Sequence, residues 1–554
     1  MSNLKEYIVT LKNYDDIFDF YEDIESPGGN LYIPDRSVEC CQRRMNSRNT
    51  HYLLTDEEAS TVRNDPRVLA VERKPEDIGI VPIRFVEEDI DPLFTQSSDT
   101  WNKSSSNTST HKNWALLRCV EGLQRANWGS DGPVNQRSQS GTIQARAEGR
   151  NVDVVIVDGM INPAHPEYAV NSDGTGGTRV VQYNWFQHNL GQASNNYVYT
   201  PYVDASDANR TADNNHGAHC AGTVAGNTQG WARSANIYNI NPYSTDVNGT
   251  SATLLIDYIR AFHNGKSINP VTGRRNPTIC NNSWGYGSAL EIANISSITF
   301  RGATVSGPFT EAQIRSYGIW TRNINGTIYA IRPARVAAVD ADMVDAFNDG
   351  IIMVGAAGND YTKIDVVGGA DYNNSFTWSG FFVPYHRGST PGAADGCICV
   401  GAVSALVEES KSDFSNTGPR VDIQAPGQNI MSSFNSTGSF GGTTDPRNSS
   451  FFIGKISGTS MASPQVCGVL AAALEVYPNM TPAEAREYIR HYAKLGQMTD
   501  TGGDVTDYTS LQGADNRYLF YYKERADSGQ LSPKNDVRIR GQTGRVFPRV
   551  RIRR

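Results

Sequence analysis

Three side chains set far apart along this chain could together cleave an acyl bond: the alcohol of Ser460, the imidazole of His216 and the carboxylate of Asp158. An alcohol is a weak nucleophile until a base takes its proton and a third group holds that base. Ser460 lies in Gly458-Thr459-Ser460-Met461-Ala462-Ser463-Pro464, at the mouth of the apolar run Val466 to Leu474. A helix N-terminus there offers unpaired N–H groups and a positive dipole end, and Pro464 falls in the early turns, where proline is best tolerated. His216 opens Asn215-His216-Gly217-Ala218-His219-Cys220-Ala221-Gly222, whose small residues allow close packing against a sheet. His216 is read as the base and His219 as structural. Asp158-Gly159 ends the β-branched run Val154 to Val157, a strand buried on both faces, and open α/β sheets place ligands at that end. A second buried strand, Ile351 to Ala356, ends in Ala357-Gly358-Asn359, and the Asn359 amide is a neutral donor for a developing oxyanion.

Each segment alone also reads as ordinary architecture: a turn Asp, a packed histidine pair, a helix cap and a Gly-Asn turn. Their joint appearance in one chain favours the chemistry. His216 and His219 at i and i+3 could suggest a metal pair, but there is no third ligand at recognisable spacing and no Glu follows the first His. No metal and no cofactor is therefore expected. The Gly-x-Ser-x-Gly elbow of α/β-hydrolase esterases is absent around Ser460. Buried strands around Val154, Ile237, Ile279, Ile352 and Ile398 alternate with helical stretches, which predicts an α/β fold with a mostly parallel sheet and helices on both faces.

In their order along the chain (Asp, His, Asn, Ser) these segments resemble the subtilisin family of serine proteases, from about Asn151 to Lys494. His216-Gly217-Ala218-His219-Cys220 is similar to the proteinase K branch. The resemblance implies a doubly wound sheet and an acyl-enzyme serine endopeptidase. Asp158 would be the triad acid, His216 the base, Ser460 the nucleophile and Asn359 the oxyanion donor. Asn282-Ser283-Trp284-Gly285 resembles the family's substrate-binding strand. Ser283, Trp284, Gly285, Ala356 and Gly358 would bound a specificity pocket for apolar or aromatic side chains. The loop Gly226 to Ala232 is shorter than the one that binds calcium in many relatives, so that site is not expected. Asp158-Gly159-Met160 departs from the family's usual order after the acid, but Ile161 and His165-Pro166-Glu167 continue its pattern. Extra segments fall at 264–276, 290–332 and 361–395.

The domains are read as 1–76, 77–112, 113–495 and 496–554. The first carries a strand at Tyr7 to Leu11, a helix opened by Thr55 with Glu57 and Glu58, and a strand at Pro66 to Glu72. It resembles the small α+β inhibitory propeptide of the family, which implies a self-inhibited zymogen with its own prodomain as a partner. Residues 77–112 are a polar linker, where autocatalytic processing is expected. Residues 496–554 form an extension with an arginine-rich tail.

The chain of 554 residues has net charge −8 and 38% hydrophobic residues, as in a globular α/β protein. No apolar run approaches the roughly 20 residues of a membrane span, and the chain opens without a leader pattern. The expected partners are protein or peptide substrates, with no membrane or nucleic acid. A cytoplasmic or virion-associated setting is expected ahead of secretion. The eight cysteines form no CxxC pair, which suggests reduced, buried thiols. The rival reading is an inactive member of the family serving as a structural or binding module in a larger, phage-like assembly.

Overall fold

The computed structural model describes residues 4–33, 38, 40–44, 46–84, 114–121, 147–188, 198–202, 215–243, 248–406, 408–435 and 442–521. The arginine-rich tail and most of the 77–112 stretch lie outside the described residues.

The N-terminal unit is a four-stranded sheet with two helices. Strand β1 (Lys5–Leu11) leads to α1 (Ile17–Glu25), β2 (Cys40–Arg43), β3 (Asn49–Leu54), α2 (Asp56–Arg63) and β4 (Val68–Arg73). The sheet order is β2-β3-β1-β4. Alternate residues of β1 (Tyr7, Val9, Leu11) face Phe20 and Ile24 of α1, while Ile8 on the other face joins the main body's core. Thr55 and Glu58 form a reciprocal capping box that starts α2. Strand β5 (Val81–Arg84) follows, but it belongs to a different sheet.

The main body begins with α3 (Trp114–Glu121) and β6 (Asp153–Val157). Next come α4 (His216–Ala225), β7 (Asn236–Ile240), α5 (Leu255–Gly265), β8 (Thr278–Asn282) and β9 (Trp284–Glu291). The extra segments supply β10 (Ile295–Phe300), β11 (Ala303–Ser306), α6 (Glu311–Ser316), β12 (Thr321–Ile324) and β13 (Thr327–Pro333). Helix α7 (Ala337–Asn348) and β14 (Ile352–Ala356) return to the core, and β15 (Ser375–Trp378) with β16 (Phe381–Pro384) completes a small sheet with β10 and β11. The chain closes with β17 (Cys397–Val403), β18 (Ile423–Pro426), β19 (Ile430–Phe434), β20 (Thr443–Asp445), β21 (Asn448–Ile456), α8 (Thr459–Val476), α9 (Pro482–Tyr492), β22 (Lys494–Leu495) and β23 (Arg517–Tyr518).

The central sheet has eight strands in the order β22-β23-β18-β17-β14-β8-β6-β7, and every pair but β22–β23 is parallel. The β-branched run in β6 shows why both faces must be covered. Val154 and Ile156 pack toward α4 and α8. Val155 and Val157 pack toward α5 and α7. The mostly parallel α/β sheet with helices on both faces, preceded by a small α+β unit, is thus the observed architecture.

Two of the sequence boundaries differ from the structure. The sheet does not end near residue 495, since β23 pairs with β18 and Tyr518, Leu519 and Tyr521 are buried in the main core. A two-residue strand has no period to read, and the polar loop before it is organised by side-chain caps. Asp500 Oδ1 accepts from Ser510 Oγ (3.1 Å) and Leu511 N (3.0 Å), and Asp507 accepts from Thr509 N (3.0 Å). The stretch after residue 76 is also not all linker, because β5 pairs antiparallel with β9 from Val81↔Gly287 to Arg84↔Trp284.

All eight cysteines are free thiols; six are buried, and Cys40 and Cys41 are partly so. Among the described residues no helix is long and apolar enough to cross a membrane.

Candidate active site

One rung of the central sheet sets the site. Val157 pairs with Asn282, and Asn282 pairs with Gly355. The residues that follow these three (Asp158, Ser283 and Ala356) therefore leave the C-terminal edge side by side. Asn359 comes three residues after Ala356, on the same edge.

Asp158 and His216 are buried and paired: Nδ1 of the ring lies 2.9 and 2.8 Å from the two carboxylate oxygens. A buried carboxylate needs such a partner, and this one also accepts from the Gly159 amide at 2.8 Å. Asn239, on the neighbouring strand β7, donates to the carbonyls of Ile156, Asp158 and Gly159 (3.1, 3.1 and 3.2 Å), fixing the turn that carries the acid. Helix α4 starts at His216 and lies directly on this turn. A Cβ at Gly217 would come within 2.1 Å of the Gly159 carbonyl, so only glycine permits the approach.

His219 stands apart from this pair. Its Nε2 meets the carbonyl of Ile430 at 2.7 Å, and burial pulls its pKa down to about 3, so the ring stays neutral. One turn after His216, the Cys220 thiol donates to the carbonyl of Ser460 at 3.5 Å. Its sulfur lies within 4.8 Å of the Asp158 and His216 ligand atoms. The opening turns of α4 and α8 thus meet. Burial, and then the Asp158 charge, push the Cys220 thiol well above its ordinary pKa.

Ser460 is the second residue of α8. Its Oγ donates to the Ser283 carbonyl (3.0 Å), and Ser283 Oγ donates back to the Ser460 carbonyl (2.9 Å). Ser463 Oγ donates to Asn281 Oδ1 (2.8 Å), and Asn281 Nδ2 donates to Ser283 Oγ (2.9 Å). This chain of bonds locks the start of α8 to the β8–β9 junction.

Asn359 is oriented by its neighbours. Its Oδ1 accepts from the Thr459 amide (3.0 Å) and from Thr459 Oγ1 (2.8 Å). A backbone N–H can only donate, so the amide's oxygen faces α8. Nδ2, at the other end, is buried without an acceptor among the described residues. Gly358 makes the turn at φ +107, donates its N–H to Thr459 Oγ1 (3.1 Å), and has no room for a Cβ beside Asn416 Nδ2 at 2.4 Å. In the sequence Thr459 reads only as a cap, because it precedes a Ser at a helix start. Asn239 gave no sequence signal.

The structure therefore brings Asp158 and His216 into direct contact and sets Ser460 and Asn359 at the same sheet edge. Ser283, Trp284, Gly285, Ala356 and Gly358 line the two adjoining segments. These side chains lie along the C-terminal edge of a parallel α/β sheet. The comparison with known proteins specifies the family: residues 149–519 match the subtilase family, Peptidase_S8, and the chain belongs to it. The chain is 24% identical over 407 residues to alkaline serine exoprotease A of Vibrio alginolyticus, covering 73% of this chain and 51% of that protein. It is 28% identical over 311 residues to the subtilisin-like serine protease Pen c 2 of Penicillium citrinum, covering 54% and 50%. The chain thus spans about half the length of the curated relatives it matches. Among solved structures, a cold-adapted subtilisin-like serine proteinase aligns with TM-score 0.42 and 20% identity, covering 74% of this chain and all of that one. Fervidolysin from Fervidobacterium pennivorans aligns with TM-score 0.47 and 16% identity, covering 93% and 60%.

Proposed function

We propose that this chain is a serine endopeptidase, held in a self-inhibited state by its own N-terminal unit. The observation that carries this reading is the pairing of β5 with β9. An extended segment already lies antiparallel on the strand whose first neighbour, Ser283, is bonded to Ser460. A sheet edge that accepts an added strand beside a nucleophile suits an extended polypeptide substrate.

In this mechanism Ser460 Oγ attacks the carbonyl carbon of a peptide bond and its proton passes to His216 Nε2. Asp158 keeps the other ring nitrogen protonated and stabilises the imidazolium. The carbonyl oxygen becomes an oxyanion, held by the Ser460 amide and Asn359 Nδ2. The C–N bond then breaks as the imidazolium gives its proton to the leaving amine. Water, deprotonated by His216, hydrolyses the ester and restores Ser460. Fluorophosphonate labelling tests the nucleophile: Ser460 should carry the adduct once the N-terminal unit is displaced, and an unlabelled Ser460 overturns the reading.

Asn359→Ala is expected to reduce kcat by roughly 10²–10³-fold with little change in KM, because its Nδ2 acts on charge that exists only in the transition state. Steady-state kinetics on a peptide substrate will check this, and an unchanged kcat removes the oxyanion role.

The N-terminal unit is attached through α5 and α7. Arg44 Nε donates to Asp257 (2.6 Å) and Nη2 to Asp342 (2.7 Å). Ser47 and Asn49 also donate to Asp342, and Arg48 to Asp345. Glu72 accepts from the Ala338 amide at the start of α7 (3.3 Å), and burial raises its carboxyl from 4.5 to about 7. Attached, Glu72 holds a proton that it loses in water, so its contribution is full below about pH 4.5 and is lost as pH rises through 7. Asp342 and Asp345, also raised mainly by burial, act in the same direction. Once the connecting chain is cut, release of the unit should therefore quicken from pH 4.5 to 7, and Glu72→Gln should flatten that rise. A release rate independent of pH contradicts this.

A further inference from the structure

The extra strand β13 places a charged group beside the proposed substrate strand. Arg332 of β13 lies directly opposite Ser288 of β9. Its Nε and Nη1 are buried and meet no acceptor among the described residues. Among the described residues, the other guanidinium groups drawn into the interior are provided for. Arg44, Arg118, Arg420 and Arg447 each meet a carboxylate, and Arg179 is ringed by the carbonyls of Glu167, Ala169, Ala225 and Ala235. Arg332 has no such neighbour among the described residues, and burial alone draws its pKa down to about 10. It remains a cation at neutral pH. An isolated buried cation is costly unless an anion joins it.

The strand geometry indicates where that anion would come from. Strand β5 covers β9 only from Trp284 to Gly287. Upstream of Val81 the chain leaves β9 through the 3-10 turn Pro75–Ile78 and Gly79, at φ +73. A substrate that stayed extended would instead continue past Ser288. Its residue opposite Ser288 would share a sheet face with Ser288 and Arg332, and the small serine side chain leaves room between them.

We propose that Arg332 is the base of an extended substrate subsite that takes the carboxylate of an acidic side chain, carried by a peptide lying antiparallel on β9 at the position opposite Ser288. This rests on the reading above that β9 binds peptide substrate. In register, the position falls five residues before the one opposite Ser283, where the attacked carbonyl lies. The subsite belongs to the extra segment 290–332 rather than to the central sheet.

The test uses protein whose N-terminal unit has been displaced, with three quenched-fluorescence decapeptides that share an aromatic residue before the cut and carry Glu, Gln or Lys five residues upstream of that aromatic residue, cleavage positions being read by mass spectrometry. The Glu peptide should be favoured over the Gln peptide by about tenfold or more in kcat/KM, as a charge-assisted bond in a sheltered site provides, and the Lys peptide should be poorest. Arg332→Gln should abolish the ranking. Equal rates on the Glu and Gln peptides, or a ranking that survives Arg332→Gln, overturn the subsite and leave the peptidase reading standing. No turnover of any peptide overturns both. A second measurement needs no turnover: in the Ser460→Ala background, Arg332→Met should raise Tm, because it removes an uncompensated charge. A fall in Tm would mean that the guanidinium already has its partner in the free protein, and would end the proposal.

Discussion

Ser460→Ala is expected to leave a folded protein that does not hydrolyse the peptides cleaved by the wild type. The serine hydroxyl makes one hydrogen bond, to the Ser283 carbonyl at 3.0 Å. Its loss costs the fold about 1 kcal/mol. The rest of the lock survives, since Ser283 Oγ still reaches the Ser460 carbonyl and Ser463 still reaches Asn281. Turnover behaves differently, because the acyl-enzyme of the proposed mechanism forms on this oxygen. The expected loss in kcat is on the order of 10⁴–10⁶-fold, with residual activity from oxyanion donors and substrate binding alone. His216→Ala should lose a similar amount, and the double variant hardly more, because the two groups act as one unit. Circular dichroism and Tm establish that the variant is folded, and kinetics with a fluorogenic peptide measure the loss. Wild-type turnover from folded Ser460→Ala would remove the acyl-transfer mechanism. Equal inactivity of wild type and variant, after the N-terminal unit has been displaced, would favour a binding module on the same fold.

Part of this site is legible in the chain because its cues are local. Val154 to Val157 can only be a strand covered on both faces, and it is one. The apolar run after Ser460 can only be a buried helix, and Thr55 with Glu58 announces the start of α2. The relations between segments carry no such cue. That Asp158, Ser283 and Ala356 leave one rung of the sheet depends on the order β6-β8-β14, which no residue spells out. Thr459 looks like a cap, yet it turns the Asn359 amide outward through two bonds across 100 residues of sequence. Arg44 is the extreme case. It stands in the polar run Cys41-Gln42-Arg43-Arg44, which reads as surface, and its acids lie 213 and 298 residues away. The C-terminal strand β23 is missed for a different reason: with two residues there is no periodicity, and only its pairing defines it.

Arg44→Ala should release the N-terminal unit. The Arg44 and Asp342 side chains are both wholly buried, and Asp257 is 11% exposed. Truncating the arginine strands two carboxylates close together in a low-dielectric contact, which costs about 3–5 kcal/mol when one partner of a buried pair is removed. At 1.36 kcal/mol per decade this is a 10²- to 10³-fold or greater weakening of attachment. Ser47 and Asn49 cannot offset it, since they are neutral and, of the two acids, reach only Asp342. Arg48→Ala at the same interface should cost much less, because its pair with Asp345 is partly open to solvent. Lysine at position 44 should not rescue, since one ammonium cannot copy a fork that spans two helices. Acid should rescue: burial already raises the Asp342 carboxyl, and without Arg44 it gains a proton more readily, so attachment recovers as pH falls. In Ser460→Ala protein carrying a specific cleavage site within residues 97–110, size-exclusion chromatography after the cut reads retention directly. Wild type should keep its N-terminal unit and Arg44→Ala should lose it at neutral pH. Retention by both would mean that the buried ion network does not hold the unit, and that the apolar contact through Ile8 and the β5–β9 pairing suffice without it.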